Sequence, residues 1–174
     1  MAKLSQRKIR QVVAEVARVA SVMFDGELCG QIVTERSWKW FRDFDPNDFW
    51  SPHDNYDVEH APFVAAKHTL MRLERLGPAG LRLGCNLWVP VPTLPGQITC
   101  LVQNGGPNRW QQFGTLHLAL TAPMQSALAG QPADVPDDED RGIVTVLAPV
   151  RDSLKQVVGF VEVSGSAVGP VLPW

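Results

Sequence analysis

Residues 157–163, VVGFVEV, constrain the fold more than any other stretch of this chain. Side chains of a strand alternate between two faces. Val158, Phe160 and Val163 therefore cannot all lie on one face. A strand that is apolar on both sides is covered on both sides, and so lies inside its sheet. Gly159 sits within the run, where it permits a bulge or the close approach of another backbone. A second strand-like run, IVTVLAPV at 143–150, precedes it, and Arg151, Asp152 and Ser153 supply turn chemistry between the two. The core is expected to close on this hairpin.

The rest of the chain alternates in period. Ile9, Val12, Val13, Val16, Val19, Ala20 and Met23 recur at helical spacing and predict an amphipathic helix over about 4–24. Gly26 and Gly30 are expected to loosen the chain, and a short strand is possible from Ile32 onward. DPNDFWSPHDNYD at 45–57 reads as a loop rich in turn formers, and its rings have to be buried somewhere. Asp57 can cap a helix with Pro62 in its first turn. Phe63, Ala66, Leu70, Leu73 and Leu76 form its stripe, and Gly77-Pro78 stop it. Strands are expected at 81–91 and 97–105, with a further candidate at 110–118. NGG at 104–106 reads as a hairpin turn, and residues 120–130 read as a short helix ending on a glycine. QPADVPDDEDRG is read as a solvated acidic loop, and the tail from 164 as wrapping or fraying.

The sum is one α+β domain over 1–174, an antiparallel sheet of about five strands with flanking helices. Its parts are an N-terminal helix (1–26), an aromatic-rich segment (27–57), a helix (58–77), and a sheet (81–165) with a short helix near 120–130. The length suits one domain with a sizeable core. Apolar residues at 45% and charged residues at 20% argue against disorder. A formal charge of −2 gives no reason to expect nucleic acid. Cys29, Cys85 and Cys100 are widely spaced and form no CxxC pair, so reduced thiols are expected. No apolar run approaches the ~18–20 residues of a bilayer span, and a cytoplasmic location is expected.

MQSALAG at 124–130 and VTVLAPVRDSLKQVVGFVEV at 144–163 resemble the PAS-like sensor folds, and most closely the Cache (PDC-type) ligand-sensing domains. The resemblance covers about the last fifty residues. It rests on a small helix ending in Ala-Leu-x-Gly, a strand ending in Pro-Val, an Arg-Asp turn, and a strand opening Val-Val-Gly. Where such turns usually carry a glycine, this chain reads DSLKQ. The resemblance implies a profilin-like sheet and a small-molecule ligand, and says little about which one.

Candidate ligand-binding residues are Arg36, Trp38, Trp40, Arg42, Trp50 and Tyr56, with Trp88 from the first predicted strand. Indole and phenol rings offer apolar area with one polar handle, and arginine can hold a carboxylate at two points. The plainer reading is that these rings only plug the open side of the sheet. His53, Asp54, Asp57 and His60 are metal-ligating types, but their spacing matches no standard site, and a hydrogen-bonded or solvated role is favoured. His68 lies two turns beyond His60 and could share its face. Asp137–Asp140 lacks the alternation of a calcium loop. No GxSxG, P-loop, GxGxxG or HExxH is present. No cofactor or catalytic residue is expected.

The leading expectation is therefore a binding module: a regulatory or sensory domain that signals by ligand-dependent conformational change, as a homodimer or through a partner protein. The closing hairpin would be a wall of its pocket. A ligand-free interaction or dimerisation domain is the alternative. An enzyme of unrecognised type ranks last. The apolar stripe of residues 9–23 could serve a dimer or pack on its own sheet.

Overall fold

The computed structural model describes residues 4–32, 60–92, 94–104, 118–138 and 140–167. Helix α1 spans Gln6–Met23, α2 Glu27–Ile32 and α3 His60–Glu74. Strands β1 (Leu81–Pro90), β2 (Gln97–Gln103) and β3 (Leu118–Ala119) follow. Helix α4 (Ala122–Leu128) then leads to β4 (Ala133–Asp138), β5 (Ile143–Arg151) and β6 (Val157–Ala167). The fold is α+β. Its strands form one sheet in the order β3-β2-β1-β6-β5-β4, and every pairing is antiparallel. Among the described residues the sheet has six strands where about five were expected, because the acidic segment is itself a strand.

Strand β6 is central, between β1 and β5, as its two-sided apolar pattern requires. Val161 and Val163 face one way, into a large cluster with Ile9, Val13, Leu70, Leu87 and Val146. Phe160 faces the other way, into a smaller cluster with Trp88, Ile98, Cys100, Ala127 and Leu147. Opposite the β5 pair Val150–Arg151, β6 spends three residues, Val157 to Gly159, so Val158 is the bulged one. Gly159 also does the second thing a strand glycine can do. A Cβ there would collide with the Trp88 carbonyl oxygen.

Helix α1 buries Ile9, Val13, Val16, Ala17 and Ala20 against β5 and β6. The stripe from Ile9 to Ala20 is thus used on its own sheet, whereas Met23, expected to continue it, is exposed. Close approach is possible because β6 offers Gly165 beneath it, where a Cβ would stand 2.6 Å from Val13 Cγ2. Ser5 caps the helix: its Oγ accepts from the Lys8 amide at 3.3 Å. Ser5→Ala should therefore cost about 1 kcal/mol, read as a lower urea midpoint at unchanged slope.

Several expectations need correction. The chain does not loosen after Gly26. Asp25 Oδ1 accepts from the Glu27 amide at 3.0 Å and starts α2, which contains Gly30 and ends at Ile32. Ile32 is thus helical rather than the start of a strand. Leu76 lies beyond the end of α3 and is half exposed, whereas Ala66, Leu70 and Leu73 are buried. The segment read as an acidic loop pairs with β5 as edge strand β4. Its composition suits an edge, because Pro136 has no amide to donate and carboxylates discourage further pairing. Arg10 of α1 pairs with both Asp134 and Asp137 there. Residues 164–167, read as a fraying tail, continue β6. Of the stretch 110–118, only Leu118 falls within the described residues, in β3. Asp57 and the NGG turn beyond Asn104 lie outside them.

The glycines at 77 and 80 end α3 and lead into β1. The Gly77 amide donates to the Glu74 carbonyl, and Gly80 takes a φ of 85°. No helix among the described residues is long and apolar enough to cross a membrane.

Candidate functional site

The two faces of the sheet differ in chemistry. The face under α1 and α3 is lined by Leu83, Cys85, Leu87, Val89, Val144, Val146, Ala148, Val161 and Val163. The face that carries α4 combines Trp88, Phe160 and Leu147 with a row of polar side chains.

That row follows from strand register. On β6, Phe160, Glu162 and Ser164 share one parity and therefore one face. Thr145 pairs directly with Ser164, Asn86 with Glu162, and Trp88 with Phe160. Trp88 and Glu162 are diagonal neighbours across β1 and β6, within reach of a long side chain. The Trp88 Nε1–H donates to Glu162 Oε2 at 2.8 Å, Ser164 Oγ donates to Glu162 Oε1 at 3.2 Å, and Thr145 Oγ1 donates to Ser164 Oγ at 3.2 Å. Trp88, Asn86 and Ser164 are buried, and Glu162 is half-buried. One carboxylate is thus oriented by an indole and a hydroxyl from different strands. Such a group can accept from a ligand donor or hold a buried network in one geometry.

Where β1 and β2 part, a second polar group gathers. The Asn104 amide donates to Asn86 Oδ1 at 3.2 Å, and the Cys85 amide donates to Glu74 Oε1 at 3.2 Å. Among the described residues β1 has no β2 partner at Cys85, and a side chain from α3 satisfies that amide. Burial raises the Glu74 pKa against the pull of that amide and of Asn104. Lys67 donates to the Gln103 carbonyl, and burial lowers its pKa.

The three cysteines are buried free thiols. Burial, reinforced by Asp25, pushes the Cys29 thiol up to about 12. Cys85 and Cys100 are pushed up too, mainly by burial. Neutral thiols of this kind are poor nucleophiles.

Among the sequence candidates, Trp88 is placed at the centre of the α4 face, 2% exposed. Arg36, Trp38, Trp40, Arg42, Trp50, Tyr56 and His53 lie outside the described residues. His60 begins α3, and His68 is exposed on the same helix. Among the described residues no group of three metal-ligating side chains forms. Sequence reasoning passed over Glu162, Ser164, Thr145 and Asn86. The available signal was parity: Glu162 shares its face with Phe160 in a strand already read as buried.

Comparison with family models, with curated proteins and with solved structures finds no match for this chain.

Proposed function

We propose that this chain is a small-molecule-binding regulatory domain whose ligand contacts the α4 face of the sheet beside Trp88 and Glu162. The observation that carries this reading is the difference between the faces. One face is uniformly apolar and packed by α1 and α3. The other holds an oriented carboxylate and hydroxyls next to two aromatic rings, the usual lining of a binding site. The strand order, with the first and last strands adjacent at the centre, is compatible with the PAS-like layout that residues 124–163 resemble.

The mechanism in this reading is population shift: a ligand that favours one packing of α4 and the sheet biases the helices on the opposite face. Screening a panel of small amines, carboxylates and aromatic compounds by thermal unfolding tests it. A ligand at a hundred times its Kd should add about 2.7 kcal/mol of stability. Trp88→Phe and Glu162→Gln should each reduce that gain. A hit whose effect ignores both substitutions would refute the site.

A second reading is an interaction domain without a ligand. Val22, Met23 and Leu154 are 77%, 65% and 75% exposed, and the end of α1 and the β5–β6 turn that bear them lie close together through Gly26 and Arg151. A flat ligand panel together with concentration-dependent dimerisation in sedimentation would favour it.

A further inference from the structure

The turn between β5 and β6 is bonded to elements on both sides of the sheet. Arg151 ends β5, and its guanidinium forks. Nη1 donates to the Lys155 carbonyl at 2.9 Å, and Nη2 donates to the Gly130 carbonyl at 3.3 Å, just past the end of α4. Gly130 itself has a φ of 88°, and a Cβ there would stand where the guanidinium lies. On the opposite side, Glu27 Oε1 at the start of α2 accepts from the Ser153 amide at 2.9 Å. Gly26 packs so closely on the Arg151 carbonyl that no Cβ would fit.

The turn between these anchors is internally braced. Asp152 Oδ1 accepts from the Gln156 amide at 2.8 Å, and the Asp152 carbonyl accepts from the Lys155 amide at 3.0 Å. Lys155 takes a φ of 63°, the left-handed conformation that a glycine usually supplies. A braced turn passes displacement on, where a slack one would absorb it.

We propose that the β5–β6 turn is a clasp that couples α4, on the Trp88 face, to the α1–α2 joint, on the other face. A shift of Gly130 pulls on Arg151, the turn moves as a unit, and Glu27 carries the movement to α2. The use of this clasp for signalling rests on the binding reading above. The coupling itself does not, and its test needs no ligand.

Amide hydrogen exchange of the full chain, followed by NMR, tests the clasp. Reporters on one side are the Gly130 and Gln131 amides, bonded to Ala127 and Ser126. On the other side they are the Leu28 and Cys29 amides, bonded to Asp25 and Gly26. Glu27→Ala should speed exchange at Gly130 and Gln131. Arg151→Lys, which keeps the charge but not the fork, should speed exchange at Leu28 and Cys29. About two- to tenfold is expected, the range set by one net hydrogen bond. Ser5→Ala serves as a control for general loosening and should leave all four reporters unchanged. Acceleration confined to the substituted side in both variants would overturn the proposal. So would an equal response to Ser5→Ala. A failed ligand panel would leave this outcome untouched.

Discussion

Gly159→Ala should destabilise the domain by about 3 kcal/mol, at the upper end of overpacking costs. A single added methyl would enter the space of the Trp88 carbonyl oxygen, with Val89 Cγ1 only 3.1 Å away. The obstacle is backbone in a central strand, and relief would require β1 and β6 to separate where Trp88 pairs with Phe160. That pairing holds the two halves of the sheet together. Against a typical total of 5–15 kcal/mol, the loss is large enough to read in urea unfolding. Gly30→Ala is the matched control. Gly30 lies in α2, and its Cβ would meet nothing within 4 Å among the described residues. The same chemical change should stabilise by about 0.5–1 kcal/mol there, through helix propensity. Equal effects at the two sites would contradict this account of Gly159.

What could be read from the chain followed from burial. The two-sided apolar pattern of 157–163 required a central strand, and β6 is central. The 3.6-residue spacing of Ile9, Val13, Val16 and Ala20 required a helix packed along one side, and α1 packs on β5 and β6. The failures have a common cause too. Residues 133–138 have a turn former's composition, and only pairing with β5 makes them a strand, because an edge asks little of intrinsic propensity. Lys155 holds a left-handed φ because Arg151 and Asp152 brace its turn, whereas DSLKQ has no glycine to mark that position. Glu162 reads as an ordinary exposed charge until register sets Trp88 diagonally across from it. The site was illegible because its members come from three strands, β1, β5 and β6, whose alignment no local pattern encodes.

Phe160→Ala should cost about 3–5 kcal/mol, the range for a fully buried aromatic ring. Phe160 is fully buried, and its cluster is small. Few neighbours can relax into the space, so the cavity penalty should persist rather than collapse. Phe160→Leu, nearer in volume, should cost less than about 1.5 kcal/mol. The loss should fall on stability and not on register. Val161 and Val163 fix β6 from the other face, and a one-residue slip would turn both of them into the wrong cluster. A heteronuclear NMR spectrum of the variant should accordingly keep the β5–β6 and β1–β6 cross-strand contacts. The vacated space lies beside Trp88, close to the Glu162 carboxylate and the Ser164 hydroxyl. Apolar cavities of this kind take up small aromatic molecules. Benzene or indole should therefore raise the melting temperature of Phe160→Ala and leave that of Phe160→Leu unchanged. Indole should do better if its N–H reaches Glu162, and Phe160→Ala/Glu162→Gln should erase that advantage. If neither molecule stabilises Phe160→Ala, the α4 face has closed over the lost ring. A face that closes so readily is packing alone, and the binding reading would fall with it.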